Sequence, residues 1–157
     1  LQQTKDSYKK SSQFSEKELK EFSILFLVLN NLDIFRKNIE LISEISFSSN
    51  IMNDFKKQLI NYLLSEKFFK MKKINSEDFE HKFQDIISIV NKNAPIKIIY
   101  KNKNEEEIIS MFNEILSEIQ KIELRRKIEN LEEKVSANLD ESLYSELLSL
   151  RNQLKGG

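Results

Sequence analysis

The sequence predicts an all-α protein: a compact helical body joined by one long helix to a C-terminal antiparallel helical hairpin. Apolar residues recur at three- and four-residue spacings in every long segment. Only one proline and two glycines interrupt the 157 residues, and both glycines, Gly156 and Gly157, stand at the very end. A helical pattern then runs unbroken over residues 104–136, and its apolar stripe changes sides halfway. At about 100° per residue, Ile108, Phe112, Ile115, Ile119 and Ile122 share one face, whereas Leu124, Ile128, Leu131 and Val135 lie about 170° away. A helix buried in one globule keeps one stripe. The switch between Ile122 and Leu124 therefore gives this helix two packing partners.

The elements follow in order. Ser15 and Glu18 form a capping-box signature before an apolar run, predicting a first helix over residues 16–30. Its centre is apolar nearly all round, which makes it the central helix of the body. A second helix over 33–44 carries Phe35, Ile39, Ile42 and Ile45 at helical spacing. Ser49 is placed to cap a third, over 50–65, with Ile51, Phe55, Leu59, Tyr62 and Leu63 inward. Residues 67–73 interrupt the pattern. Ser76 then caps a fourth helix reaching Val90 on Phe79, Phe83, Ile86 and Ile87. Pro95 ends that region, and residues 96–100 form a short extended or single-turn segment.

Asn104 is the expected cap of the long helix, with Glu105, Glu106 and Glu107 where the helix dipole favours negative charge. Residues 137–139 make a tight turn and Asp140 caps a last helix to Leu154. There Leu143, Leu147, Leu150 and Leu154 repeat at the same spacing as Leu124, Ile128, Leu131 and Val135, so the two stripes are expected to zip into the hairpin. The chain divides on this reading into a polar linker over 1–14, a body over 15–122 that includes the first half of the long helix, and a hairpin over 123–157.

Composition excludes more than it assigns. Lys plus Arg equal Asp plus Glu at 25 each, so no global field draws the chain to nucleic acid or a membrane. The most apolar run, residues 22–29, is far shorter than the roughly 20 residues that span a bilayer, so no membrane partner is expected. There is no cysteine, hence no disulfide, thiolate nucleophile or cysteine zinc site, which fits an intracellular origin. The chain opens on Leu1 with a polar segment and reads as a fragment that begins in a linker. No cofactor is expected, because glycine-rich phosphate-binding loops need glycines that are absent. The single histidine, His81, lacks the partners of a metal site or triad and reads as a rim residue. The carboxylates, such as Glu129, Glu132 and Glu133, read as solvated helix faces.

Two segments carry binding potential. Residues 67–73, Lys-Phe-Phe-Lys-Met-Lys-Lys, interleave cations with aromatics, which suits weak contact with single-stranded DNA. The bland alternative is a connector whose phenylalanines tuck in while the lysines stay wet. On the last helix, Tyr144, Leu148 and Arg151 lie beside the leucine seam; they either pack back onto the body or form a docking surface of the residue types that anchor interfaces. Leu147, Arg125 and Arg126 complete the candidate partner-binding set, with no catalytic or metal residue assigned.

Taken together, a buried opening helix over 21–30, then Asn31, Leu32, Asp33, Ile34 and Phe35, later Ile45, Ser46 and Phe47, the long helix and the closing hairpin resemble the C-terminal helicase-binding domain of bacterial DNA primase. The closing residues that carry the resemblance are Glu123, Leu124, Arg125, Arg126, Ile128, Leu131, Leu143, Glu146, Leu147, Leu148, Leu150, Gln153 and Leu154. The family often has a proline just after the first helix, where this chain has Asn30, Asn31 and Leu32. The resemblance implies a fragment without catalysis of its own, from a parent nucleotidyltransferase of cytoplasmic DNA replication. Its hairpin would dock on the N-terminal domain of the hexameric replicative helicase, and its body would modulate that helicase. The alternatives are the N-terminal helical domain of the helicase itself, which is similar in helix order, and a helical single-stranded nucleic-acid-binding module.

Overall fold

The computed structural model describes residues 13–138 and 140–156, and all regular structure among them is helical. The elements are α1 (Glu16–Asn30), α2 (Leu32–Lys37), α3 (Ile39–Ser43), α4 (Asn50–Leu64), 3-10 turns at Glu66–Phe68 and Ser76–Asp78, α5 (His81–Asn93), a 3-10 turn at Pro95–Ile98, α6 (Glu105–Ala137) and α7 (Glu141–Gly156). The chain forms two compact units, one ending at Asn113 and the other beginning at Glu114. No helix among the described residues is long and apolar enough to cross a membrane.

In the first unit α1 starts as its sequence dictates. Ser15 Oγ accepts from the Glu18 N–H, and Glu18 Oε1 accepts from the Ser15 N–H, which satisfies two of the donors a helix start leaves orphaned. The apolar centre from Phe22 to Leu29 is buried throughout, as expected of a helix packed on all sides. Its main neighbours are α5 and the Pro95–Ile98 turn. Glu21 is buried with it, and its Oε2 accepts from the Ser48 N–H at 2.8 Å, tying α1 to the segment that leads into α4. The helix ends without glycine or proline: Asn30 and Asn31 turn their side-chain amides back onto the Phe26 and Leu27 carbonyls, and Asn31 leaves the helical region. Of the polar segment expected over 1–14, residues 1–12 lie outside the described residues. Phe14 packs edge-on against Phe22, ring centroids 5.0 Å apart.

Two predicted helices are broken in ways their spacing does not show. The second divides into α2 and α3 at Asn38, whose amide donates to the Ile34 carbonyl at 2.8 Å while its own backbone leaves the α region. The fourth begins later than predicted. Asn75, not Ser76, caps a 3-10 turn, Phe79 is extended, and α5 starts at His81 with no side-chain cap bond from Glu80. The break lets Phe79 join a run of rings, Phe83, Phe55, Phe79, Tyr62 and Phe68, with successive centroids 4.0 to 5.6 Å apart. Ile51 is exposed rather than inward, while the next residue of the same turn of α4, Met52, is the one that enters the core. The segment left open after Pro95 is a single 3-10 turn, and Tyr100 beyond it meets Phe26 edge-on.

α6 is continuous from Glu105 to Ala137, one residue further than predicted. Asn104 caps it with Glu107, each side chain accepting from the other's backbone N–H. Ile108 and Phe112 are fully buried, and Phe112 meets Phe35 at 5.1 Å. In the second unit Ile128, Leu131 and Leu147 form a small core flanked by Leu124, Val135, Leu143, Leu150 and Leu154. This is the zipped antiparallel hairpin that the matched leucine spacings predict. Of the turn expected over 137–139, Leu139 lies outside the described residues.

Candidate partner-docking surface

α7 owes its start to Asp140, whose Oδ1 accepts from the Ser142 N–H at 2.8 Å. Once the helix is set, its 3.6-residue period fixes two faces. Leu143, Leu147, Leu150 and Leu154 point into the seam. Tyr144 and Leu148, one turn apart, remain 50% and 42% exposed. Tyr144 borders a shallow hollow of about 510 Å³ shared with Val135, Asp140 and Glu141. Arg151 Nη2 donates to Glu132 Oε1 at 2.8 Å, an ion pair whose side chains stay 43% and 44% exposed. At that exposure the pair contributes less than about 1 kcal/mol, and its effect is to hold Arg151 across the two helices of the hairpin.

The remaining candidates fall elsewhere. Leu147 is only 2% exposed between Ile128 and Leu131, so burial in the seam removes it from the surface and makes it a packing residue. Arg125 and Arg126 are exposed, but they belong to the other end of the hairpin, where Leu124 and Leu154 share a groove. At about 1.5 Å per residue Arg126 lies roughly 14 Å along α6 from Val135, beside which Tyr144 sits. The structure therefore brings Tyr144, Leu148 and Arg151 onto one helix surface and sets the two arginines of α6 apart from Tyr144.

The Lys-rich segment is where sequence reasoning missed most. Phe68 tucks in as the connector reading requires, stacking on Tyr62 at 4.0 Å. Phe69 does not; it is 52% exposed. Its ring is instead covered on one side by the Arg36 guanidinium, 5.2 Å from the centroid. Arg36 also donates to the carbonyls of Leu63, Phe68 and Phe69, so it closes the C-terminal end of α4 and fixes the path of the chain beyond it. The Leu32 N–H donates to the Lys72 carbonyl and the Ile74 N–H to the Leu29 carbonyl, both at 2.9 Å. Nothing local to Arg36 signals a partner some thirty residues away.

Beside this segment lies a hollow of about 340 Å³ lined by Tyr62, Phe68, Asp78, Phe79 and Phe83 among others. The Tyr62 hydroxyl donates to Asp78 Oδ2 at 3.0 Å. Burial, with the Asp78 hydrogen bond and charge, pushes the Tyr62 pKa up to about 12. The phenol therefore stays protonated at neutral pH and serves as a structural donor rather than a base. His81 is exposed at the start of α5. Among the described residues no three His, Cys, Asp or Glu side chains are grouped to hold a metal ion. No protein-family model, no curated protein and no solved structure matches the chain.

Proposed function

We propose that the chain is the helicase-binding domain of a bacterial DNA primase and that it docks primer synthesis onto the hexameric replicative helicase through its hairpin. The observation that carries this reading is the division of labour on α7. One face of that helix closes the seam, while Tyr144 and Leu148 stay exposed beside an arginine held by Glu132. Aromatic, aliphatic and arginine side chains of this kind anchor protein interfaces. A two-helix unit with so small a core is marginal by itself and gains from a partner. The apolar spacings over residues 16–154 that resemble the primase domain support the same assignment.

The mechanism is tethering in the cytoplasm. Holding a primase on the helicase raises its effective concentration near emerging single strands without new chemistry, so nucleotidyl transfer belongs to other parts of the parent protein and no cofactor is required here. Calorimetric titration of the chain into the N-terminal domain of the replicative helicase tests the reading. Replacing Tyr144 or Leu148 by Ala is expected to weaken binding about tenfold or more, with the helical circular-dichroism signal retained. Unchanged affinity in both variants overturns the docking assignment.

A further inference from the structure

Residues 67–76 contain no acidic side chain, and Lys67, Lys70, Lys72 and Lys73 are all exposed. Lys67 lies over the Phe68 ring, 5.3 Å from its centroid. The patch is ordered from below. Arg36 fixes the carbonyls of Phe68 and Phe69, the Lys72 carbonyl is bonded to Leu32, and Ile74 is bonded to Leu29. Phe69 is thus a preset platform, backed by a guanidinium on one side and half open to water, with cations before and after it in the chain. Lysines alone would suit any polyanion. A half-open ring among them adds a surface on which an unstacked base can lie.

From this arrangement we propose that the patch binds single-stranded DNA, the phosphates meeting Lys67, Lys70, Lys72 and Lys73 while one base stacks on Phe69. A duplex keeps its bases stacked on one another and cannot use the ring. An anionic membrane would gain little from one phenylalanine without an apolar helix face around it. The site lies in the first unit, on residues that take no part in the docking surface of α7, so the two assignments stand or fall separately.

The test is fluorescence anisotropy of the whole chain with a labelled thymidine oligonucleotide of about 20 residues. Four phosphate contacts predict about a fiftyfold loss of affinity as salt rises from about 50 to about 200 mM. Replacing Lys70, Lys72 and Lys73 together by Gln should cut that loss to about threefold, because one of the four contacts remains. Phe69→Ala should weaken binding about tenfold with the salt dependence unchanged, since it removes stacking and no charge. These side chains are exposed or half exposed and the segment's anchoring bonds are made by its backbone N–H and carbonyl groups, so the variants keep the fold, which circular dichroism checks. Absence of binding at low salt overturns the proposal. So does indifference to Phe69→Ala, equal affinity for duplex, tighter binding to a uridine RNA of equal length, or binding to anionic vesicles in place of the oligonucleotide.

Discussion

Leu147→Ala should unfold one unit of this protein and leave the other intact. Leu147 is the central side chain of α7 in the seam, 2% exposed and packed against Ile128 and Leu131. Truncating a leucine in a closed core costs about 3 to 5 kcal/mol. Here the core of the seam is three buried residues with partly exposed neighbours at its edges, so neighbours and water relax into the gap and a cost of about 2 to 3 kcal/mol is expected. That is comparable with what so small a helical pair gains by folding. At about 1.4 kcal/mol per tenfold, amide exchange across α7 should accelerate roughly 30- to 150-fold. Amides of α1 should keep their protection, because its buried centre belongs to the other unit. Native-state hydrogen exchange read by mass spectrometry separates the two regions. Acceleration spread evenly over α1 and α7 would show that the units do not unfold separately, and no change in α7 would show that Leu147 does not hold the seam.

Other consequences are open to measurement. Tyr62 favours its protonated form in the folded state, with a pKa near 12 against an ordinary value of 10.0, so its contribution to stability is complete below about pH 10 and fades as pH rises towards 12. Denaturant midpoints should fall over that window in the parent chain and less in Tyr62→Phe, and absorbance titration of the variant should lack the late phenolate step. Arg36→Lys should cost about 2 kcal/mol in chemical unfolding, because one ammonium cannot span three carbonyls and stack on Phe69 as well. Asn104→Ala should lower stability by about 1 kcal/mol through loss of the capping box of α6.

Local chemistry was legible where a single turn contains all the partners. Ser15 with Glu18, Asn104 with Glu107, and Asp140 before α7 announce their helices because cap and donor lie within three residues. The matched leucine spacings likewise revealed the hairpin. Where the deciding partner lies far along the chain, the sequence was silent. Spacing cannot say that Asn38 prefers the Ile34 carbonyl to a helical backbone, or that Phe79 is drawn out of helix by Tyr62 and Phe55. It could not separate Phe68 from Phe69 either, since Arg36 settles which ring goes in and which stays out. On α7 the periodicity placed Leu147 in the seam and the composition placed it among docking residues; burial decides for the seam.

If the proposed docking holds, the exposed surface of α7 meets the replicative helicase. Hydrogen exchange of the whole chain, alone and with the helicase N-terminal domain, decides whether it does. Slower exchange confined to Glu141–Gly156 and the part of α6 that faces it, with α4 and α5 unchanged, is the predicted result. Protection of α4 and α5 with none in α7, or no protection anywhere at saturating helicase, would contradict it.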